Sequence, residues 1–253
     1  MSRLKLLLAR LPVAYVLAHR GVTWARFAAR RLNEPDFAAF RLFRDRDGVF
    51  LDVGANIGQS ALSFRLVHPT APIVSIEANP RLEPDLRLVK RFVRGFDYRI
   101  CAASDAAGPL TLHIPVLAGL ALTGEASMHA GSARDTYWAS EQGVAGDAPV
   151  ELEVAEVQSI RLDELGLAPA FVKVDVEGFE LQVLKGLSAT LAAHQPIVLV
   201  ERSGGRDLPD YLATLGYRPF VYARRADRLE PDTGGGSQNV FYLPESEAGA
   251  AAH

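Results

Sequence analysis

Val49-Phe50-Leu51-Asp52-Val53-Gly54-Ala55-Asn56-Ile57-Gly58 is the stretch that decides the fold. Its first half is short, apolar and closed by a glycine, which reads as a buried strand. Gln59–Val67 then reads as a helix. Glycines at a strand-to-helix turn let the backbone approach a ligand, and the helix N-terminus favours negative charge. The spacing is Gly54-x-x-x-Gly58, with Asn56 and Gln59 where a dinucleotide fingerprint needs its second and third glycines. No Lys-Ser/Thr follows, which excludes a P-loop. The expected ligand is therefore a nucleoside without a pyrophosphate, with room for a carboxylate.

Outward from this turn, apolar runs alternate with helical patterns. Ile73–Ile76 and Tyr98–Ala103 read as strands, with a helix over Arg81–Val93 between them. Phe171–Val176 and Ile197–Val200 read as further strands, with helices over Phe179–Ala193 and Leu208–Leu215. Such alternation predicts a parallel sheet covered on both faces. Leu110–Ile114 and Glu151–Ile160 add strands, and the Gly/Ala/Ser-rich stretch 116–149 between them reads as an active-site loop. Tyr217–Tyr222 and Asn239–Leu243 read as a closing antiparallel hairpin around the turn-rich Glu230–Ser237. Residues 245–253 read as a disordered tail. The resulting division is a helical extension over 1–45 and one α/β domain over 46–244.

Glu77 ends the second strand, 25 positions beyond Asp52. An acid at that tip is placed to grip ribose hydroxyls, because ligands bind at the carboxyl ends of such strands. An exposed strand-end Glu that caps the next helix is the alternative. Ser104 and Asp105 follow the third strand and are expected beside the base, or else form a simple turn.

Four segments carry a family likeness: Phe50–Gly58, Glu77-Ala78-Asn79-Pro80, Ile160–Leu165 and Val172-Lys173-Val174-Asp175-Val176-Glu177-Gly178-Phe179-Glu180. Ile197–Glu201 fits the strand after them. Together they resemble the FkbM-type methyltransferases over about Asp47 to Glu201. The resemblance implies a class I, Rossmann-like fold: a mostly parallel seven-stranded sheet with helices on both faces and a C-terminal antiparallel hairpin. It also implies S-adenosylmethionine as methyl donor and mostly O-methylation, with acceptors ranging over sugars, polyketides and other metabolites. The donor site then comprises Asp52, Gly54, Asn56, Gly58, Glu77, Asn79, Ser104 and Asp105. The N-terminal stretch and the segment 116–149 depart from the family pattern.

Lys173, Asp175 and Glu177 alternate along one strand and its tip, which puts them on one face if the strand stays regular. Charges are unusual in a buried parallel strand and costly unless paired. Mutual pairing is the structural explanation. The functional one starts from methyl transfer, an in-line displacement that needs alignment, exclusion of water and, for a hydroxyl acceptor, removal of a proton. Asp175 or Glu177 is the candidate general base, with Lys173 or Glu201 setting its pKa. In a variant, Asp175 and Glu177 hold Mg2+. His129, Tyr137 and Trp138 in the long loop are lesser candidates, as a base and as stacking groups, and equally well anchor the loop.

The chain has 253 residues, 49% hydrophobic and 23% charged, with a net charge of −3. That balance excludes a nucleic-acid footprint. The single Cys101 allows no internal disulfide and fits a reducing, cytoplasmic compartment. Met1–Ala18 mimics a signal peptide, but Arg10 and Pro12 interrupt it, no A-x-A site follows, and it is too short to span a bilayer. The reading is helices that pack on the domain and cover its site. Arg3, Lys5, Arg10, Arg20, Arg26, Arg30 and Arg31 leave weak peripheral membrane contact as the alternative. The expected partner is a small-molecule or glycan acceptor, and nothing in the sequence sets an oligomeric state. An N-methyltransferase would carry an Asn/Asp-Pro-Pro-Tyr-type turn where Asp175-Val176-Glu177-Gly178 stands. A nucleoside-binding protein without turnover would share the same donor residues, and a NAD-linked oxidoreductase lacks its third glycine here.

Overall fold

The computed structural model describes residues 12–117, 120–121, 126–128, 150–202 and 206–251. His129, Tyr137 and Trp138 lie outside them, as does most of the 116–149 loop. The opening stretch folds as read: β1 (Val49–Val53) runs into α2 (Gln59–Val67), preceded by α1 (Pro12–Ala28) and a 3-10 turn over Pro35–Phe43. Then come β2 (Ile73–Glu77), α3 (Glu83–Phe92) and β3 (Phe96–Ile100). The central half adds β4 (Ala102–Ala103), β5 (Gly108–Leu117), β6 (Leu120–Ala121), β7 (Val150–Ile160) and β8 (Pro169–Val174). The chain closes through α4 (Glu180–Lys185), α5 (Ser188–His194), β9 (Ile197–Glu201), α6 (Asp207–Thr214), β10 (Tyr217–Ala223), β11 (Arg228–Pro231), β12 (Asn239–Pro244) and α7 (Glu245–Ala251).

The main sheet has the order β11-β10-β12-β9-β8-β1-β2-β3. Its five central and far strands are parallel, and β12 and β10 run antiparallel beside β9. Seven of these strands are the expected ones. The eighth, β11, pairs antiparallel with β10 and runs from Arg228 into the first two residues of the segment read as a turn. A second sheet, β4-β7-β5-β6, was not expected as a separate layer. The third strand ends at Ile100, and Ala102–Ala103 leaves the main sheet to pair with β7 instead.

Period-two alternation sorts the strands between two cores. Phe50, Phe171, Ile197 and Leu199 face one side, where Phe37, Phe40, Phe64 and Phe241 join them. Leu51, Val53, Val172, Val174, Val198 and Val200 face the other, under α4, α5 and α6. Phe50 and Phe64 stack at 4.0 Å, and Phe40 meets Phe50, Phe64, Phe171 and Phe241 edge-on. The segment before β1 therefore belongs to the domain's own core, because Phe37 and Phe40 are fully buried in it. The α1 helix is tied down by a two-pronged pair from Arg20 to Asp85, both contacts 2.7 Å.

Two further expectations are corrected. The helix expected over Phe179–Ala193 breaks into α4 and α5 at Gly186, where a Cβ would lie 1.9 Å from the Ser104 carbonyl oxygen. The expected disordered tail is the helix α7 through Ala251, held by Arg46 Nη1 donating to Glu247 at 2.6 Å and by burial of Ala248. Among the described residues no helix is long and apolar enough to cross a membrane.

Candidate active site

A polar row crosses the centre of the sheet. Register places Ser75 of β2 beside Asp52 of β1, and Asp52 beside Lys173 of β8. Ser75 Oγ donates to Asp52 Oδ2 at 2.9 Å, and Lys173 Nζ lies 3.7 Å from Asp52 Oδ1. Lys173 also donates to the Gly54 carbonyl at 3.0 Å and pairs with Asp175 at 3.0 Å. Asp52 and Lys173 are 0% and 3% exposed, so these ions are stable only because they satisfy one another. Burial raises the Asp52 pKa against the pull of Lys173. Burial works to depress Lys173, but Asp175, Asp52 and Glu34 outweigh it and hold the ammonium charged.

Lys173 and Asp175 share a face, as the alternation predicts. The strand ends at Val174, however, and Glu177 takes a left-handed backbone, φ 51°, just before Gly178 at φ 89°. Glu177 thus reaches the same region through a turn rather than through the pleat. One oxygen each of Asp175, Glu177 and Glu201 come within 4.8 Å of one another. Asp175 and Glu201 share a hydrogen bond, and Gln238 Nε2 donates to Glu201 Oε1 at 2.6 Å. For Asp175 the cost of burial is outweighed by Lys173, so it stays below its ordinary value. Burial, then Asp175, push Glu201 up to about 8. At neutral pH the pair is a protonated Glu201 donating to an ionised Asp175, two carboxyls sharing one proton.

Beside this pair opens a cavity of about 260 Å3 at the carboxyl ends of β1, β2 and β8. Gly54, Asn56, Glu77, Asp175 and Glu177 line it, with apolar wall from Ile76, Leu112 and Phe179. Glu77 Oε2 accepts from the Asn56 amide at 2.7 Å and Oε1 accepts from the Asn79 amide at 2.8 Å. An ionised carboxylate has about four lone-pair sites, so two remain for a ligand. Burial, partly offset by those two amides, places the Glu77 pKa at about 6. Asn56 has a left-handed backbone, φ 50°, which the turn requires.

Apart from Gly54, the other expected donor-site residues stand behind this wall. Asp52 is buried beneath it and holds Lys173. Gly54 lines the cavity, yet its missing side chain serves a different purpose: a Cβ would sit 1.7 Å from the Asp175 carbonyl oxygen. Gly58 begins α2 at φ 88° and makes room for Val89 Cγ2 of α3, which would stand 2.6 Å from a Cβ at that position. Asn79 Oδ1 accepts from the Arg81 amide at 3.1 Å and caps the Pro80–Leu82 turn. Ser104 Oγ donates to Asp105 Oδ1 at 3.1 Å, and the wall here is formed by Cys101, Ala102 and Ala103 instead. That shift follows from the third strand leaving the sheet at Ile100. Within Ile160–Leu165, Asp163 accepts from the Thr190 amide at 2.9 Å and the Ala189 amide at 3.2 Å, so this acid anchors the start of α5.

Three residues at the site escaped the sequence reading of candidate roles. Glu34 accepts from Ser60 Oγ at 2.8 Å, and burial, against the pull of Lys173, lifts its pKa to about 7. Gln238 comes from the turn before β12. Ser127 Oγ donates to the Glu177 carbonyl at 2.8 Å, while its backbone pairs with His113 of β5. Ser127 and Met128 line the cavity, so the described part of the long loop does border the site. An acid before a proline and a glutamine in a glycine-rich turn carry no periodic signal that would have marked them.

Residues 52–219 match the family model described as the methyltransferase FkbM domain. No curated protein matches the sequence. Among solved structures, methyltransferase FkbM from Methylobacillus flagellatus KT is 18% identical, with 78% of this chain and 43% of that chain covered and a TM-score of 0.46. The chain thus spans less than half of that protein. A precorrin-6y C5,15-methyltransferase from Geobacter metallireducens GS-15 is 14% identical over 81% of this chain and 83% of that one, with a TM-score of 0.42. A TehB-like SAM-dependent methyltransferase from Corynebacterium glutamicum ATCC 13032 Kitasato is 12% identical over 89% and 97%, with a TM-score of 0.42.

Proposed function

Because the chain belongs to the FkbM-domain methyltransferases, we propose that it is an S-adenosylmethionine-dependent O-methyltransferase acting on a hydroxyl of a small-molecule or glycan acceptor in the cytoplasm. The observation that carries the oxygen preference is the Asp175–Glu201 pair, anchored on Lys173 at the edge of the donor cavity. The cavity residues suit the donor. Glu77 keeps two acceptor sites for ribose hydroxyls, Cys101–Ala103 offer a small, apolar surface for a base, and the carboxylates of Asp175 and Glu177 favour a sulfonium. When bound, S-adenosylmethionine supplies a methyl group whose S–C bond breaks as the new C–O bond forms, its electron pair staying on sulfur.

The chain's own groups align the acceptor and take its proton. A hydroxyl set against the Asp175–Glu201 pair passes its proton to that pair, which is fully ionised only above about pH 8. Lys173 holds Asp175 in place and compensates its charge, and it does so from beneath the wall, out of reach of substrate. Apolar Ile76, Leu112 and Phe179 limit water at the methyl group.

The test begins with calorimetric titration of S-adenosylhomocysteine, followed by a screen of hydroxyl and amine acceptors with 13C-methyl-labelled donor. Methyl transfer to a hydroxyl should rise with pH to a plateau above about 8, and Glu201→Gln should flatten that rise and lower the rate by roughly 10²-fold or more. Full activity in both Glu201→Gln and Asp175→Asn, or transfer to amines alone, would overturn the reading. Activity should survive a chelator; activity lost and restored by Mg2+ would assign Asp175, Glu177 and Glu201 to a metal instead.

A further inference from the structure

Asp175, Glu201 and Gln238 have a cavity on each side. One is the donor cavity. The other, about 630 Å3, opens between α1, the Asn33–Asp36 segment and the C-terminal hairpin. The geometry points to this second cavity as the acceptor site, built for a neutral ligand rich in hydroxyl groups. The inference rests on the methyl-transfer reading and adds to it where the acceptor binds and what chemistry it carries.

Three observations support it. The first is connection. An in-line displacement needs the nucleophile on the side of the methyl group away from its leaving group, so the two binding spaces must meet at the reacting centre. These two meet at the carboxyl pair. A third cavity, bounded by Gly48, Pro72 and Ala168, lies at the opposite ends of the strands and shares no wall with the donor cavity.

The second is charge. Asp36 is held by Arg224 Nε at 2.7 Å and by Asn239 Nδ2 at 3.0 Å, and Asp175 by Lys173. Arg26 stands exposed at the rim, donating to the Asn33 carbonyl at 3.4 Å. The carboxylates Asp36 and Asp175 are thus already paired within the protein, and a cationic acceptor would have to compete with an existing partner for either of them.

The third is hydrogen-bonding capacity. Among the described residues, Asn33 Nδ2 and Gln59 Oε1 are buried side-chain atoms without a hydrogen-bond partner, and both residues line this cavity. One is a donor and the other an acceptor. A hydroxyl both donates and accepts, so hydroxyl groups satisfy both. A carboxylate serves only the donor, and an ammonium only the acceptor. Buried polar groups left unmatched are costly, which makes such a pair a selective element for its ligand.

The probe is methyl α-D-glucopyranoside, with glucose 6-phosphate and glucosamine as charged counterparts, titrated into protein saturated with S-adenosylhomocysteine and followed by 1H–15N spectra. The glycoside should shift the signals of Asn33, Gln59 and Asn239 more than either counterpart does. Gly236→Trp supplies the block: Gly236 lines this cavity and not the donor cavity, and a Cβ there meets nothing within 4 Å. Glycoside affinity should fall about tenfold or more, with S-adenosylhomocysteine affinity held within about twofold. No shift in this cavity, tighter binding of the phosphate, or glycoside binding indifferent to Gly236→Trp would overturn the inference. Failure of S-adenosylhomocysteine to bind would strike the donor reading instead; glycoside binding blocked by Gly236→Trp would then still support the cavity as a polyol site.

Discussion

Replacing Lys173 by Met keeps the length of the side chain and removes its charge. The ammonium lies 3.0 Å from Asp175 and 3.7 Å from Asp52, and the residue is 3% exposed. With an effective dielectric of about 20, these contacts are worth about 5.5 and about 4.5 kcal/mol in gross Coulomb terms. Desolvation of three ions cancels much of that while the cluster is intact. Deletion of the cation leaves two buried carboxylates facing each other, for an expected loss of about 3–5 kcal/mol. That is a large share of the ~5–15 kcal/mol that holds a domain folded. The assay is denaturant unfolding, read as a lower midpoint at constant slope. The loss should also depend on pH. In Lys173→Met the two carboxyls acquire pKa values above those of the unfolded chain, so the native state binds more protons and stability falls as pH rises. Neutralising Asp52 as well, in Asp52→Asn/Lys173→Met, should recover about 1–3 kcal/mol. A cost below about 1 kcal/mol, or a double variant no better than the single one, would refute the idea that this ion cluster anchors the site.

Gly54→Ala should cost about 3 kcal/mol and weaken S-adenosylhomocysteine binding, because its Cβ would fall 1.7 Å from the Asp175 carbonyl at a φ of 81°; a stable variant with full affinity would show that the two loops are not in contact. Glu34→Gln should flatten the pH dependence of stability. Glu34 titrates near 7 when folded against an ordinary 4.5, so the folded state holds a proton that the unfolded chain releases, and wild-type stability declines as pH rises through that window. The variant keeps the Ser60 hydrogen bond and should gain about 2–3 kcal/mol at pH 8 relative to pH 5; parallel unfolding midpoints at the two pH values would count against it.

The sheet was legible because its strands are buried on both faces. Val49–Val53, Phe171–Val174 and Ile197–Val200 are apolar runs broken only by Asp52 and Lys173, and alternating residues of each feed the two cores. The helices were legible from apolar residues recurring on one side, and α2 and α6 lie within a residue or two of their expected ranges. What failed were features set by single close contacts. The break between α4 and α5 follows from the Ser104 carbonyl pressing on Gly186, a contact between residues 82 positions apart. The departure of Ala102–Ala103 from the main sheet depends on pairing with β7, nearly 60 positions further on. The final helix is only seven residues long, too short to hold on its own, and its ion pair to Arg46 spans 201 positions. Local pattern holds no information about such partners.

The site divides along the same line. Asp175, Glu177, Glu77, Gly54 and Asn56 sit on strand tips and turns whose register the sequence announces, and the structure brings them to one cavity. Lys173 was also visible, as a charge in an apolar strand, but its place is beneath the wall, where it binds the Gly54 carbonyl and Asp175 together. One cation therefore joins the donor turn to the carboxyl pair. Gly54 needs no side chain because Asp175 must come that close, and Asp175 can come that close because Lys173 compensates it. Glu34 completes the arrangement from the segment before β1, its proton affinity set by burial and by the same Lys173. The N-terminal stretch is then a working wall of the domain: its aromatic residues enter the core, and its Asn33–Asp36 turn borders the space beyond Asp175. A residue whose role depends on a partner more than a hundred positions away becomes readable only once the strands place the two side by side, as β1 and β8 do for Asp52 and Lys173.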